Sequence, residues 1–191
     1  MIEIAFDIER LRDIALDQYG YVTTAQAIGA GVSKQSLSML TKRTRIERVT
    51  HGVYRIPQVA PTRYDRFMLA LLWTGVPEAA LSHETALDAY DVCDVNPTAI
   101  HITVNSTRRI RRKGGSGYVL HRQDLAKSQI AWWEEMRCVK LPVAIEQCIE
   151  NGTPTYLISQ AIENGRKRGL LTKDDETRLI RMMRERNGEE N

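Results

Sequence analysis

The chain has 191 residues and a mass of 21.8 kDa, with 42% hydrophobic residues, 27% charged residues and a net charge of +3. Those values suit one globular domain or two small ones and exclude wholesale disorder. The longest apolar run, residues 67–73, falls far short of the roughly 20 residues that cross a bilayer. Glu3, Asp7 and Glu9 precede the first base, so a signal peptide is not expected. Cys93, Cys138 and Cys148 show no C-x-x-C spacing, which argues against a disulfide framework or structural zinc and for a reducing cytoplasm.

The charge is unevenly spread. Residues 21–60 hold six bases and one acid, and residues 101–140 hold nine bases and three acids, while the flanking segments are net acidic. Two basic blocks of this kind are a footprint for a polyanion, against the plainer reading of solvated surface.

In chain order, Ile8, Leu11, Ile14 and Ala15 follow the i, i+3, i+4 rule of a helix, with Asp7 as its expected N-cap and Gly20 as its stop. Thr23 or Thr24 opens a short helix through Ala25, Ala27 and Ile28. Gly29-Ala30-Gly31 turns the chain. Ser33 caps a third helix over residues 34–42, with Leu37 and Leu40 inward and Val32 packed before it. Residues 46–56 read as two short strands turning at His51-Gly52. Helix, short helix, glycine turn, helix and hairpin is the order of a winged helix-turn-helix. Gln26 departs from it, since an apolar residue is usual there.

The outward side of the third helix carries Lys34, Gln35, Ser38, Thr41 and Lys42, and Arg43, Arg45, Arg48, His51 and Arg55 follow in and around the hairpin. Across residues 33–56 only Glu47 is acidic. Lys, Gln and Ser reach base edges and phosphates in a major groove. We therefore expect Lys34, Gln35 and Ser38 at base edges, Lys42, Arg43 and Arg45 on phosphates, and Arg48, His51 and Arg55 in the wing.

Pro57 and Pro61 mark the expected boundary, giving a DNA-binding domain over residues 1–57 and a second, mixed α/β domain over residues 62–191. Helices are expected from residue 62 to 73, after Ser82, over residues 141–150 and 156–167, and after Thr172. Residues 100–104 and 117–121 read as a β-hairpin. Its loop carries Arg108, Arg109, Arg111, Arg112 and Lys113, which suits a second polyanion contact, a docking arm for an acidic partner or a solvated loop. The expected class is α+β.

No nucleotide-binding, zinc-protease or hydrolase motif is present, so neither an enzyme nor a cofactor is expected. His83-Glu84 reads as the first turn of a helix. His101 and His121 read as a cross-strand pair rather than metal ligands, because no Cys or carboxylate cluster accompanies them. Trp132-Trp133 suits a base-stacking platform or a pair split between core and surface.

Several strings resemble the AbiEi family. They are Gly20-Tyr21-Val22-Thr23-Thr24-Ala25-Gln26-Ala27, Gly31-Val32-Ser33, and Ile46-Glu47-Arg48-Val49-Thr50-His51-Gly52-Val53-Tyr54-Arg55-Ile56-Pro57. Leu81-Ser82-His83-Glu84-Thr85-Ala86-Leu87, Asn96-Pro97, the 100–104 strand and Arg168-Gly169-Leu170-Leu171 are similar to the family's second domain. The resemblance spans residues 8–171. It implies an antitoxin and transcriptional regulator of a type IV toxin–antitoxin system. Such a protein binds double-stranded operator DNA through a winged helix, represses its own operon and neutralises a nucleotidyltransferase-like toxin without needing a stable complex. The alternative is a stand-alone repressor whose second domain senses a ligand or dimerises.

Overall fold

The computed structural model describes residues 2–188, with side chains from Phe6 onward. The chain is α+β, with two sheets, and its contacts divide it into two units. The first holds residues up to Pro77 together with Arg109–Ser116. The second holds Glu78–Arg108 and the chain from Gly117 onward.

In the first unit, the spacing of Leu11 and Ala15 buries one side of α1 (Ile2–Leu16). Asp7 is not its N-cap. No Gly or Pro precedes it, the helix starts earlier, and Asp7 is buried within it at 5% exposure. Gly20, at φ +84°, ends the turn into β1 (Tyr21–Thr23), a strand that the sequence reading did not include.

Thr23 then caps α2 (Thr24–Gly29). Its hydroxyl accepts from Gln26 N at 3.2 Å, and Gln26 Oε1 accepts from Thr23 N at 2.9 Å. The two residues satisfy each other's free backbone donors as a capping box. This explains the polar Gln26: it closes the helix N-terminus instead of filling the core. Ser33 caps α3 (Lys34–Lys42) by accepting from Ser36 N at 3.0 Å. β2 (Glu47–Thr50) and β3 (Val53–Arg55) form the expected hairpin, with Gly52 at φ +73°. Both β1 and β2 pair with β3 antiparallel, giving the order β1-β3-β2.

Leu11, Ala15, Val22, Ala27, Val32, Leu37, Leu40, Ile46 and Ile56 close one core. Truncating Leu37 or Leu40, each 1% exposed, would cost about 2–5 kcal/mol. α4 (Asp65–Thr74), assigned from the sequence to the second domain, belongs with this unit and meets β1 and β3.

The second unit contains β4 (Ala80–Leu81), α5 (His83–Tyr90), β5 (Ile100–Val104), β6 (Tyr118–Arg122), β7 (Ile130–Trp133), β8 (Met136–Val139), α6 (Leu141–Glu150), α7 (Thr155–Lys167) and α8 (Lys173–Asn187). Its mixed sheet has the order β6-β5-β4-β8-β7. β5 and β6 run parallel, so residues 100–121 are not a hairpin. Parallel neighbours need a long crossover, and the intervening chain leaves this unit to join the first one. The hairpin lies instead at β7–β8, turning at Glu134 and Glu135, whose φ angles are +46° and +57°. Two consecutive left-handed residues make the tight turn that matches strand twist. Here neither is Gly or Asn, so the usual signature is absent.

α6 lies among α5, α7 and α8, and its Val143, Ala144, Ile145, Cys148 and Ile149 are buried. Gly165 on α7 lets that helix pass close to Leu141, where a Cβ would come within 2.7 Å of Leu141 Cδ2. Thr172 and Asp175 cap α8 in a capping box, and Asp174, Asp175 and Glu176 complement its N-terminal dipole.

Candidate nucleic-acid interface

Leu37 and Leu40 fix how α3 turns on the core, and that orientation decides what faces solvent. Lys34, Ser38 and Lys42 follow at i, i+4 spacing on the opposite side, with Gln35 beside Ser38. All four are exposed. The helix ends at Arg43, and Thr44 takes φ +54° to turn the chain into β2. Arg43, Arg45 and Arg48 are exposed along that turn and strand. At the hairpin tip, His51 is exposed and its Nδ1 lies 3.4 Å from Arg48 Nη2. Eight of the nine residues expected to meet DNA thus lie exposed on α3, the following turn and the β2–β3 hairpin.

Arg55 is the exception. Its guanidinium donates to Tyr19 O and, at 2.9 Å, to Val59 O. It pairs with Asp65 and lies over the Tyr21 ring, 5.0 Å from the centroid. Its side chain is 13% exposed. The alternation of β3 turns it inward, away from the face that carries Arg48, so it is an anchor of the unit and not a wing contact.

The second basic block is divided. Arg108 pairs with Glu78 at 2.5 Å within the second unit. Residues 109–116 pack on the first unit. Trp73 Nε1 donates to Lys113 O at 2.9 Å, and Arg112 Nη1 donates to Trp73 O at 2.9 Å. Gly115 lies against the Trp73 ring, where a Cβ would reach within 2.5 Å of Cζ2. A Cβ on Gly114 would lie 3.3 Å from Thr50 Oγ1, so the loop abuts the β2–β3 hairpin. Arg109, Arg111 and Lys113 are exposed on it.

Residues 9–57 match the family described as transcriptional regulator, AbiEi antitoxin. The resemblance read from the sequence holds over this segment. No curated protein matches the chain. Among solved structures, the RV2827C protein from Mycobacterium tuberculosis is similar in fold, with a TM-score of 0.55 at 14% identity over 90% of this chain and 69% of that one. No helix among the described residues is long and apolar enough to cross a membrane.

The second unit holds two further features. One is a cavity of about 520 Å³ lined by residues that include Thr103, Gln123, Lys127, Trp132 and Arg137. Thr103 Oγ1 and Arg137 Nε are buried there with no hydrogen-bond partner among the described residues. Trp132 is 69% exposed beside it, while Trp133 is half-buried, so the tryptophan pair is split.

The other feature is a histidine cluster. His101 and His121 lie on one face of the parallel β5–β6 pair, and His101 Nδ1 is 3.0 Å from His121 Nε2. His83 joins them from the start of α5, stacked on the His121 ring at a centroid distance of 3.4 Å. Burial lowers the pKa of all three, to about 3 for His83 and about 4 for His121, and neighbouring imidazoles add to both shifts. The sequence reading missed His83 as a partner, because no linear spacing connects a helix start with two strand positions far along the chain.

Proposed function

We propose that the protein is a DNA-binding regulator of the AbiEi antitoxin kind, with a winged helix-turn-helix in its first unit. The observation that carries this reading is the exposed row Lys34, Gln35, Ser38, Lys42, Arg43, Arg45 and Arg48, displayed on a segment that matches transcriptional regulators. In this reading α3 enters the major groove. Lys34, Gln35 and Ser38 meet base edges, Lys42, Arg43 and Arg45 hold phosphates, and Arg48 and His51 work from the β2–β3 wing. The loop bearing Arg109, Arg111 and Lys113 extends the phosphate-binding surface beside that wing, which favours the polyanion reading over a partner-docking arm.

The chain would repress its own operon, and its second unit would supply neutralisation of a nucleotidyltransferase-like toxin, as the family resemblance implies. The second reading, a ligand-sensing repressor, draws support from the polar cavity and its two buried polar atoms that have no hydrogen-bond partner among the described residues. The deciding experiment compares binding to the protein's own upstream DNA with binding to a scrambled fragment at several salt concentrations. Preference for the native fragment, erased by Lys34→Ala and Gln35→Ala, supports the regulator reading. Equal binding to both removes it. Co-expression with the toxin then separates antitoxin from ligand sensor: growth rescue supports the first, and no rescue supports the second.

A further inference from the structure

We propose that His83, His101 and His121 form a binding site for a divalent transition-metal ion, with zinc as the best fit. One ring nitrogen from each residue lies within 4.8 Å of those of the other two. Tetrahedral zinc with Zn–N bonds of about 2.0–2.1 Å sets its nitrogens roughly 3.3 Å apart. The 3.0 Å between His101 Nδ1 and His121 Nε2 is close to that spacing, and binding would rotate the stacked rings so that their in-plane lone pairs converge on the ion.

The residues around the cluster suit this role. His83 and His101 are buried, and His121 is half-buried. Ser82, also buried, uses its hydroxyl not to cap α5 but to face His83 Nδ1 at 3.0 Å. An Nδ1–H given to Ser82 leaves the lone pair on His83 Nε2, the partner that orients a ligating histidine. His83 itself holds φ +52°, uncommon for a residue with a side chain, at the first position of the helix. Three protein nitrogens leave a fourth position for water or an outside ligand. The ion would tie α5 to β5 and β6, entirely within the second unit and independently of any contact with DNA.

The site is tested on the full chain after dialysis against a chelator, by calorimetric titration with zinc and by the visible spectrum with cobalt. We expect one ion per chain, cobalt ligand-field bands without a thiolate charge-transfer band, and a thermal midpoint raised by several degrees. His101→Ala and His121→Ala should each weaken zinc binding at least about 100-fold, Ser82→Ala about 10-fold, and Cys93→Ser not at all. A measurement without variants keeps the test decisive if the histidine substitutions unfold the protein. In wild type, zinc should protect the half-buried His121 from diethylpyrocarbonate while the exposed His51 remains reactive. Absence of stoichiometric binding at micromolar zinc, a thiolate band, binding that survives both histidine substitutions, or no protection of His121 would each overturn the proposal.

Discussion

Arg55 Nη1 lies 3.2 Å from Asp65 Oδ2, and both side chains are largely buried, at 13% and 15% exposure. The pair joins the end of β3 to the start of α4, and the same guanidinium holds Tyr19 O and Val59 O. Removing one partner of such a pair leaves the other charged and poorly solvated. Arg55→Ala is therefore expected to destabilise the first unit by about 3–5 kcal/mol. A urea midpoint measures this. The folded fraction should keep its salt slope for DNA, and a slope reduced by about 1 with stability unchanged would return Arg55 to the interface.

Arg45 and Gln35 should behave differently from each other. Arg45→Ala is expected to weaken binding about equally for all DNA sequences and to reduce the salt slope by about 1. Gln35→Ala is expected to relax preference at one base pair, costing roughly 1–3 kcal/mol there if its contact is bidentate. Salt-series titrations on native and singly substituted fragments separate the two. A preference profile untouched by Gln35→Ala removes it from the base-reading set.

The docked loop makes its own prediction. Replacing Arg109, Arg111 and Lys113 together with alanine should lower the salt slope by about 2–3, because each contacted phosphate contributes about 0.9. Gly115→Val, which drives a side chain into the Trp73 ring, should detach the loop and reproduce part of that loss with the charges intact. If the triple substitution leaves operator affinity and slope unchanged, the loop has no part in DNA binding.

The β7–β8 turn is under local strain. Glu135 holds φ +57° where glycine is free to sit. Glu135→Gly should stabilise the protein by about 1 kcal/mol, raising the thermal midpoint by roughly 2–4 °C. A lower midpoint would mean that Glu135 makes a contact worth more than the strain it bears.

Burial pushes the Cys138 and Cys148 thiols up to about 12, and it raises Cys93 as well. Thiolate is the reactive form, so all three are poor nucleophiles near neutral pH. A thiol-reactive disulfide reagent at pH 8 should modify at most the half-buried Cys93, slowly, in native protein and all three in denaturant. Rapid native reaction of Cys138 or Cys148 would show that the second unit opens locally.

Much of the first unit was legible in the sequence. The inward set Leu11, Ala27, Val32, Leu37 and Leu40, the Ser33 cap and the His51-Gly52 turn are local signals, and short-range periodicity with capping chemistry suffices to read them. The same periodicity placed Lys34, Gln35, Ser38 and Lys42 on the outer side of α3, because burying one face of a helix necessarily exposes the other.

Only the tertiary structure decided the rest. It turned Arg55 inward onto Asp65, paired residues 100–104 and 118–122 as parallel neighbours, and carried the 109–116 loop onto the first unit. It also brought His83 to His101 and His121. Each depends on contacts between residues distant in the chain, and strand direction, crossover path and convergence of side chains leave no local spacing to read. Composition and periodicity specify which faces must be buried; which faces meet is settled by the packing of the whole chain.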